Sequence, residues 1–203
     1  MVIPYPEVHM WQHVLTIFIA SALINNFVFS RYLGLCIFFG VTKRMETAVG
    51  MSFTFTAVML VEAVLNWVIW TYVLLPYHLD FLKIVIFIGT VAAFVQAADT
   101  IMKKIAPALY YKLGIYLALI VTNCIILAVP LINADENYTL FESMALALGS
   151  GLGFSLALMI MASIREKLEL ADVPKSFRGL PISFVLTGLI ALAFLGFSGM
   201  ITL

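Results

Sequence analysis

The chain has 203 residues, of which 64% are hydrophobic and only 11% charged, with a mean hydropathy of +1.10 and a formal net charge of zero. A soluble domain of this length has no interior large enough to hide that much apolar surface, so the chain reads as a polytopic membrane protein. Zero net charge and the lack of a basic tract point away from nucleic acid.

The amino-terminal stretch Met1–Met10 has no basic run, and no small-residue cleavage site follows the first apolar segment, which therefore reads as a retained span. Apolar runs separated by short polar loops predict six spans, at about 11–29, 46–75, 80–102, 108–132, 140–164 and 178–201. Each meets the ~20 residues that ~30 Å of hydrocarbon demands. With no water to satisfy backbone groups in lipid, all must be helical.

The loops set an orientation. Arg31, Lys43 and Arg44 fall between the first two spans, Lys103, Lys104 and Lys112 between the third and fourth, and Arg165, Lys167, Lys175 and Arg178 between the last two. Ten of the eleven basic residues thus share one side, with only Lys83 on the other. The positive-inside rule places both termini outside the cytoplasm. Trp67, Trp70, Tyr72 and Tyr77 form an aromatic belt at the outer boundary, with Tyr5 and Trp11 at the first span. Thr139 and Glu142 predict a capping box at the start of the fifth span. Arg165–Arg178 reads as a solvated cytoplasmic connector.

The two halves share a layout. Each opens with a span carrying Asn and Cys and continues with a Gly/Ser/Thr-rich span entered through a glutamate, Glu46 or Glu142. The cysteines lie 88 residues apart and the glutamates 96. Three spans per half is an odd number, so the halves are inverted relative to each other. The expected fold is an all-α integral membrane protein of six transmembrane helices. It forms a single domain of two inverted three-helix repeats, about 1–105 and 106–203.

Inverted repeats bring equivalent residues to the bilayer midplane, commonly on broken helices. One helix over Trp11–Gly40 would be ~45 Å long, too long for the bilayer. A break is therefore expected within Asn25–Gly34, where Gly34 can adopt a conformation closed to other residues. Twelve residues from Lys112, or ~18 Å of helix, put Cys124 near mid-depth; Cys36 also lies within the hydrocarbon. The two cysteines permit one disulfide, two inert core thiols, or half of a four-thiolate metal site, iron–sulfur or zinc. Spacing alone leaves these open.

Leu33–Met51, Val121–Cys124, Ile164–Gly179 and the carboxyl-terminal Phe-Leu-Gly-Phe-Ser-Gly-Met-Ile-Thr-Leu resemble the corresponding segments of the Rnf/Nqr integral membrane subunits. The resemblance covers essentially the whole chain and is closest to the A-type members of the Rnf branch. Ile37 departs from the pattern, since the family often has proline after this cysteine. The resemblance implies a bacterial or archaeal cytoplasmic-membrane component of a ferredoxin:NAD oxidoreductase that moves Na+ or H+, not catalytic alone. It implies that Cys36 and Cys124 bind half of a [2Fe–2S] cluster at mid-membrane. A homologous E-type (RnfE-like) partner completes the cluster, and the B-, C-, D- and G-type Rnf components accompany the pair. Backbone groups around Gly34, Leu35, Thr122 and Asn123 are then expected to support the cluster, while Asn25, Asn26 and Asn123 tie down the interrupted backbone.

Glu62 and Asp99 are the acids within predicted spans, which makes them candidates for ion coupling. Asp99 also stands four residues before Lys103, where an ion pair would explain it without function. Glu62 is expected to snorkel or to face a partner. The histidines carry no assigned role. The rival readings are the E-type member of the sodium-pumping quinone reductase, a secondary transporter with inverted repeats, and an assembly scaffold with inert cysteines.

Overall fold

A computed structural model describes residues 7–77, 80–105, 120 and 123–196. All regular structure among them is helical. In chain order the α-helices are α1 (Glu7–Ile19), α2 (Leu35–Val41), α3 (Met45–Ile69), α4 (Leu75–Tyr77), α5 (Lys83–Ile105), α6 (Cys124–Asp135), α7 (Leu140–Glu169) and α8 (Leu180–Leu195). A π-helical turn, Ala20–Ile24, extends α1, and another, Trp70–Leu74, joins α3 to α4.

Two stretches among the described residues are long and apolar enough to cross a bilayer unaided, Met45–Tyr77 and Leu140–Glu169. They match the predicted second and fifth spans. Shorter apolar helical stretches among the described residues are Trp11–Ile24, Lys83–Ala97 (the first part of the 23-residue α5), Cys124–Asp135 and Leu180–Leu195. Most of the predicted fourth span before Cys124 lies outside the described residues.

Helix α7 is the centre of the packing. Its buried face runs through Ser143, Ala147, Ser150, Phe154, Leu158 and Met161. Thr139 and Glu142 form the expected capping box, the Thr139 N–H donating to Glu142 Oε2 at 2.8 Å. Small residues let α1 and α3 approach closely, the usual device where lipid gives helices no hydrophobic reason to associate. A Cβ added to Gly149 would stand 2.6 Å from the Phe18 carbonyl oxygen, and one on Gly151 2.8 Å from Thr56 Cγ2.

Helix α1 runs parallel to α7. His13 Nδ1 meets Glu142 Oε1 at 2.9 Å near the helix starts, and Asn26 Nδ2 donates to the Gly153 carbonyl at 2.8 Å further along. His13, given no role from the sequence, therefore fastens α1 to the start of α7. Helix α3 runs antiparallel: Trp67 Nε1 donates to the Tyr138 carbonyl at one end, and the Met45 N–H to Glu166 Oε1 at the other.

The expected break is present. Gly153 is the fourteenth of the thirty residues of α7, so the Asn26 contact sets the end of the first half-helix at mid-length. Regular helix stops at Ile24 instead of continuing to residue 29, and resumes at Leu35. Asn26 is fully buried and holds the interruption together, its Oδ1 accepting from the Val28 N–H at 3.0 Å. Beyond the break α2 runs to the opposite end, where Arg165 Nη1 donates to the Phe39 carbonyl and to Thr42 Oγ1, both at 2.9 Å.

Two loop expectations change. Arg31 belongs to the mid-length interruption and not to the loop before α3. It lines a cleft of about 180 Å³ with Asn25, Asp135, Glu136 and Tyr138. That leaves nine basic residues assigned by the sequence to the predicted inner side, of which Lys112 lies outside the described residues. The connector that was to begin at Arg165 starts later, because α7 continues to Glu169 before the chain turns through Lys175–Phe177.

Candidate functional site

The two cysteines each sit at the start of a half-helix. Cys36 is the second residue of α2 and Cys124 the first of α6. Gly34 caps α2 with φ +76°, a left-handed conformation that costs an L side chain roughly 1–2 kcal/mol. Asn123 caps α6 from extended backbone, its Oδ1 accepting the Ile125 N–H at 2.9 Å.

These two caps touch. A Cβ on Gly34 would lie 3.0 Å from Asn123 Oδ1 and 2.8 Å from Ile125 Cδ1. The missing side chain is what allows the contact. From this shared level the half-helices diverge. Helix α2 runs to the Arg165 end of α7, and α6 runs to the other, where Asp135 pairs with Lys83 and Tyr138 takes the Trp67 bond.

Both thiols are free and exposed on the surface of the chain. Among the described residues no three His, Cys, Asp or Glu side chains group into a metal site. The chain therefore presents two exposed soft ligands at neighbouring helix starts, and thiolates of this kind suit iron–sulfur clusters or zinc. Each thiol stands at a helix amino terminus, where first-turn N–H groups are left without intrahelical partners and the dipole favours negative charge. Asn123 is 2% exposed, and its Nδ2 has no hydrogen-bond partner among the described residues. A buried donor without an acceptor, next to a thiol, fits a site built to receive an anionic group.

Of the sequence-predicted set, Gly34, Leu35, Cys36, Asn123 and Cys124 converge here. Thr122 and the side chain of Asp99 lie outside the described residues. Glu62 is elsewhere, on α3, and is 1% exposed. It neither snorkels nor faces a partner, because Asn66, one helical turn on, donates Nδ2 to its Oε2 at 3.0 Å. Sequence reasoning missed Asn66, although the i,i+4 spacing of an acid and an amide within an apolar run was a visible signal. Ile37, in place of the family's proline, is fully buried within α2.

The family model described as "Rnf-Nqr subunit, membrane protein" matches residues 14–201. The chain belongs to the Rnf-Nqr family. This Rnf-Nqr chain is 55% identical to the A-type member of the proton-translocating ferredoxin:NAD(+) oxidoreductase complex of Clostridium ljungdahlii, over 93% of its own length and 98% of the relative's. It is 47% identical to the A-type member of the Na(+)-translocating ferredoxin:NAD(+) oxidoreductase complex of Acetobacterium woodii, covering 91% and 96% of the two chains. It is 45% identical to the A-type member of the ion-translocating oxidoreductase complex of Syntrophotalea carbinolica, covering 94% and 98%. The Rnf-Nqr assignment makes the exposed apolar side chains of α5 and α8, among them Ile88, Phe184, Leu189 and Leu192, those of a membrane protein.

Proposed function

We propose that this chain is the A-type component of an ion-translocating ferredoxin:NAD+ oxidoreductase in the bacterial cytoplasmic membrane, supplying Cys36 and Cys124 as half the ligands of a [2Fe–2S] cluster. The observation that carries the reading is the contact between Gly34 and Asn123, which brings the two thiol-bearing helix starts to one level. Both thiols are exposed. The remaining two thiolates come from a homologous E-type partner, and the B-, C-, D- and G-type components complete the complex. Two of the three named relatives belong to ferredoxin:NAD(+) oxidoreductase complexes, which favours that branch over the quinone reductase.

When bound, the cluster supplies a one-electron carrier at mid-membrane. The chain's own residues do the rest. Cys36 and Cys124 ligate, Gly34 lets the two segments meet, and Asn123 fixes the start of α6. Buried charge is costly without compensation, and the first-turn N–H groups of α2 and α6 offset it. The opposed half-helices fit an inverted repeat of three spans per half, six in all, with both termini outside the cytoplasm. Nine basic residues on one side support that orientation.

The test is Cys36→Ser and Cys124→Ser in the whole complex. Each variant should lose the cluster's paramagnetic resonance signal and ferredoxin-dependent NAD reduction. Wild-type NAD reduction in either one refutes the assignment.

A further inference from the structure

Four buried side-chain polar atoms lack a partner among the described residues, and two of them belong to one pair, Glu62 Oε1 and Asn66 Oδ1. Both residues are 1% exposed on the α3 face buried within the chain. The pair already makes one hydrogen bond, from Asn66 Nδ2 to Glu62 Oε2 at 3.0 Å. Among the described residues no lysine, arginine or histidine forms an ion pair with Glu62. An ionised carboxylate in this position would be buried without a counter-charge, which is strongly unfavourable.

The identity of the two unpartnered atoms indicates what satisfies them. A neutral carboxylic acid and a primary amide are complementary: the amide N–H donates to one carboxyl oxygen, and the acid O–H donates back to the amide oxygen. The first of these bonds is present. A proton on Glu62 Oε1 would give the pair a second donor, and Asn66 Oδ1 is a buried acceptor that lacks one. A hard metal cation would instead gather several oxygens, yet Asn66 turns its N–H group to the carboxylate.

We propose that Glu62 and Asn66 form a buried proton-binding site, with Glu62 as the proton carrier and Asn66 as its positioning residue. On release the O–H bond breaks, its electron pair stays on the carboxylate and the proton passes to water. On uptake the bond re-forms and the acid–amide pair is restored. The proposal rests on the chain's place in an ion-translocating complex, because that is what would load and unload the site.

The experiment uses the purified complex, with Glu62→Gln and Asn66→Leu. Redox-induced infrared difference spectra should show a protonated-carboxyl C=O band that shifts in heavy water and is missing in Glu62→Gln. In Asn66→Leu the band should move in frequency but persist. In proteoliposomes Glu62→Gln should lower ion uptake per NAD reduced at least tenfold while leaving the cluster signal intact. A spectrum unchanged by Glu62→Gln, or ion uptake equal to wild type, overturns the proposal. Failure of the wild-type complex to reduce NAD from ferredoxin would overturn the functional reading instead, and the infrared band would still report on the pair.

Discussion

Gly34 and Asn123 are separated by 89 positions yet meet so closely that a Cβ on the glycine would lie 3.0 Å from the asparagine Oδ1. Gly34→Ala therefore carries two costs. One is the left-handed φ, ~1–2 kcal/mol. The other is overpacking against Ile125 and Asn123, typically ~1–3 kcal/mol. The expected outcome is a complex that unfolds at lower temperature and gives a reduced cluster signal, although both cysteines are intact. Calorimetry and resonance spectroscopy on one preparation would check it; a wild-type melting temperature would show that the contact is slack.

Arg165 makes a second long-range tie, from the carboxyl-terminal part of α7 to the end of α2. Its Nη1 donates to the Phe39 carbonyl and to Thr42 Oγ1, and Thr42 is itself fully buried. Arg165→Met should destabilise by a few kcal/mol, at ~1.5–3 for each hydrogen bond to a charged group. Lysine should rescue only partly, since it offers a point charge in place of a planar fork. Limited proteolysis should register the change as faster cutting between α2 and α3.

Much of this was legible from residue chemistry. The cysteine segments announced themselves because Asn, Ser, Arg and Gly are costly inside an apolar run; the need for a break followed from length, and its place at Asn25–Gly34 from the residues there. The capping box was readable because its two partners are three residues apart. What escaped was tertiary. Arg31 looked like an inner-loop cation because charge counting ignores where a broken helix turns, and the cleft it shares with Glu136 exists only in the fold. His13 looked idle because its partner, Glu142, is 129 residues away. Glu62 was visible as an intramembrane acid, but whether it faced lipid or the interior depended on how α3 packs on α7.

The exposed thiols lead to a prediction about isolation. Cys36 and Cys124 are the only two cysteines of the chain, and both lie on its surface. A [2Fe–2S] cluster takes four ligands. The chain expressed alone should therefore hold no stable cluster after anaerobic reconstitution, whereas co-expression with the E-type partner should restore it. Iron and sulfide analysis with visible absorption is sufficient; a full complement on the lone chain would refute a shared site.

The glycines separate packing from propensity. Gly149 and Gly188 both lie within helices, α7 and α8, where alanine is intrinsically favoured by about 1 kcal/mol. At Gly188 a Cβ would meet nothing within 4 Å, so Gly188→Ala should leave stability unchanged or raise it by up to ~1 kcal/mol. At Gly149 the same atom would stand 2.6 Å from the Phe18 carbonyl oxygen and collide with the Ser21 hydroxyl. The hydroxyl can rotate away, since its bond to the Phe18 carbonyl is long at 3.1 Å, but the backbone carbonyl cannot. Separating α1 from α7 would strain the Asn26–Gly153 bond that sets the level of the break. Gly149→Ala should therefore destabilise despite the gain in propensity, by ~1–3 kcal/mol, and should weaken the cluster signal. Paired melting curves of the two variants in the intact complex provide the measurement; equal shifts would mean that the close approach of α1 to α7 does not hold the site.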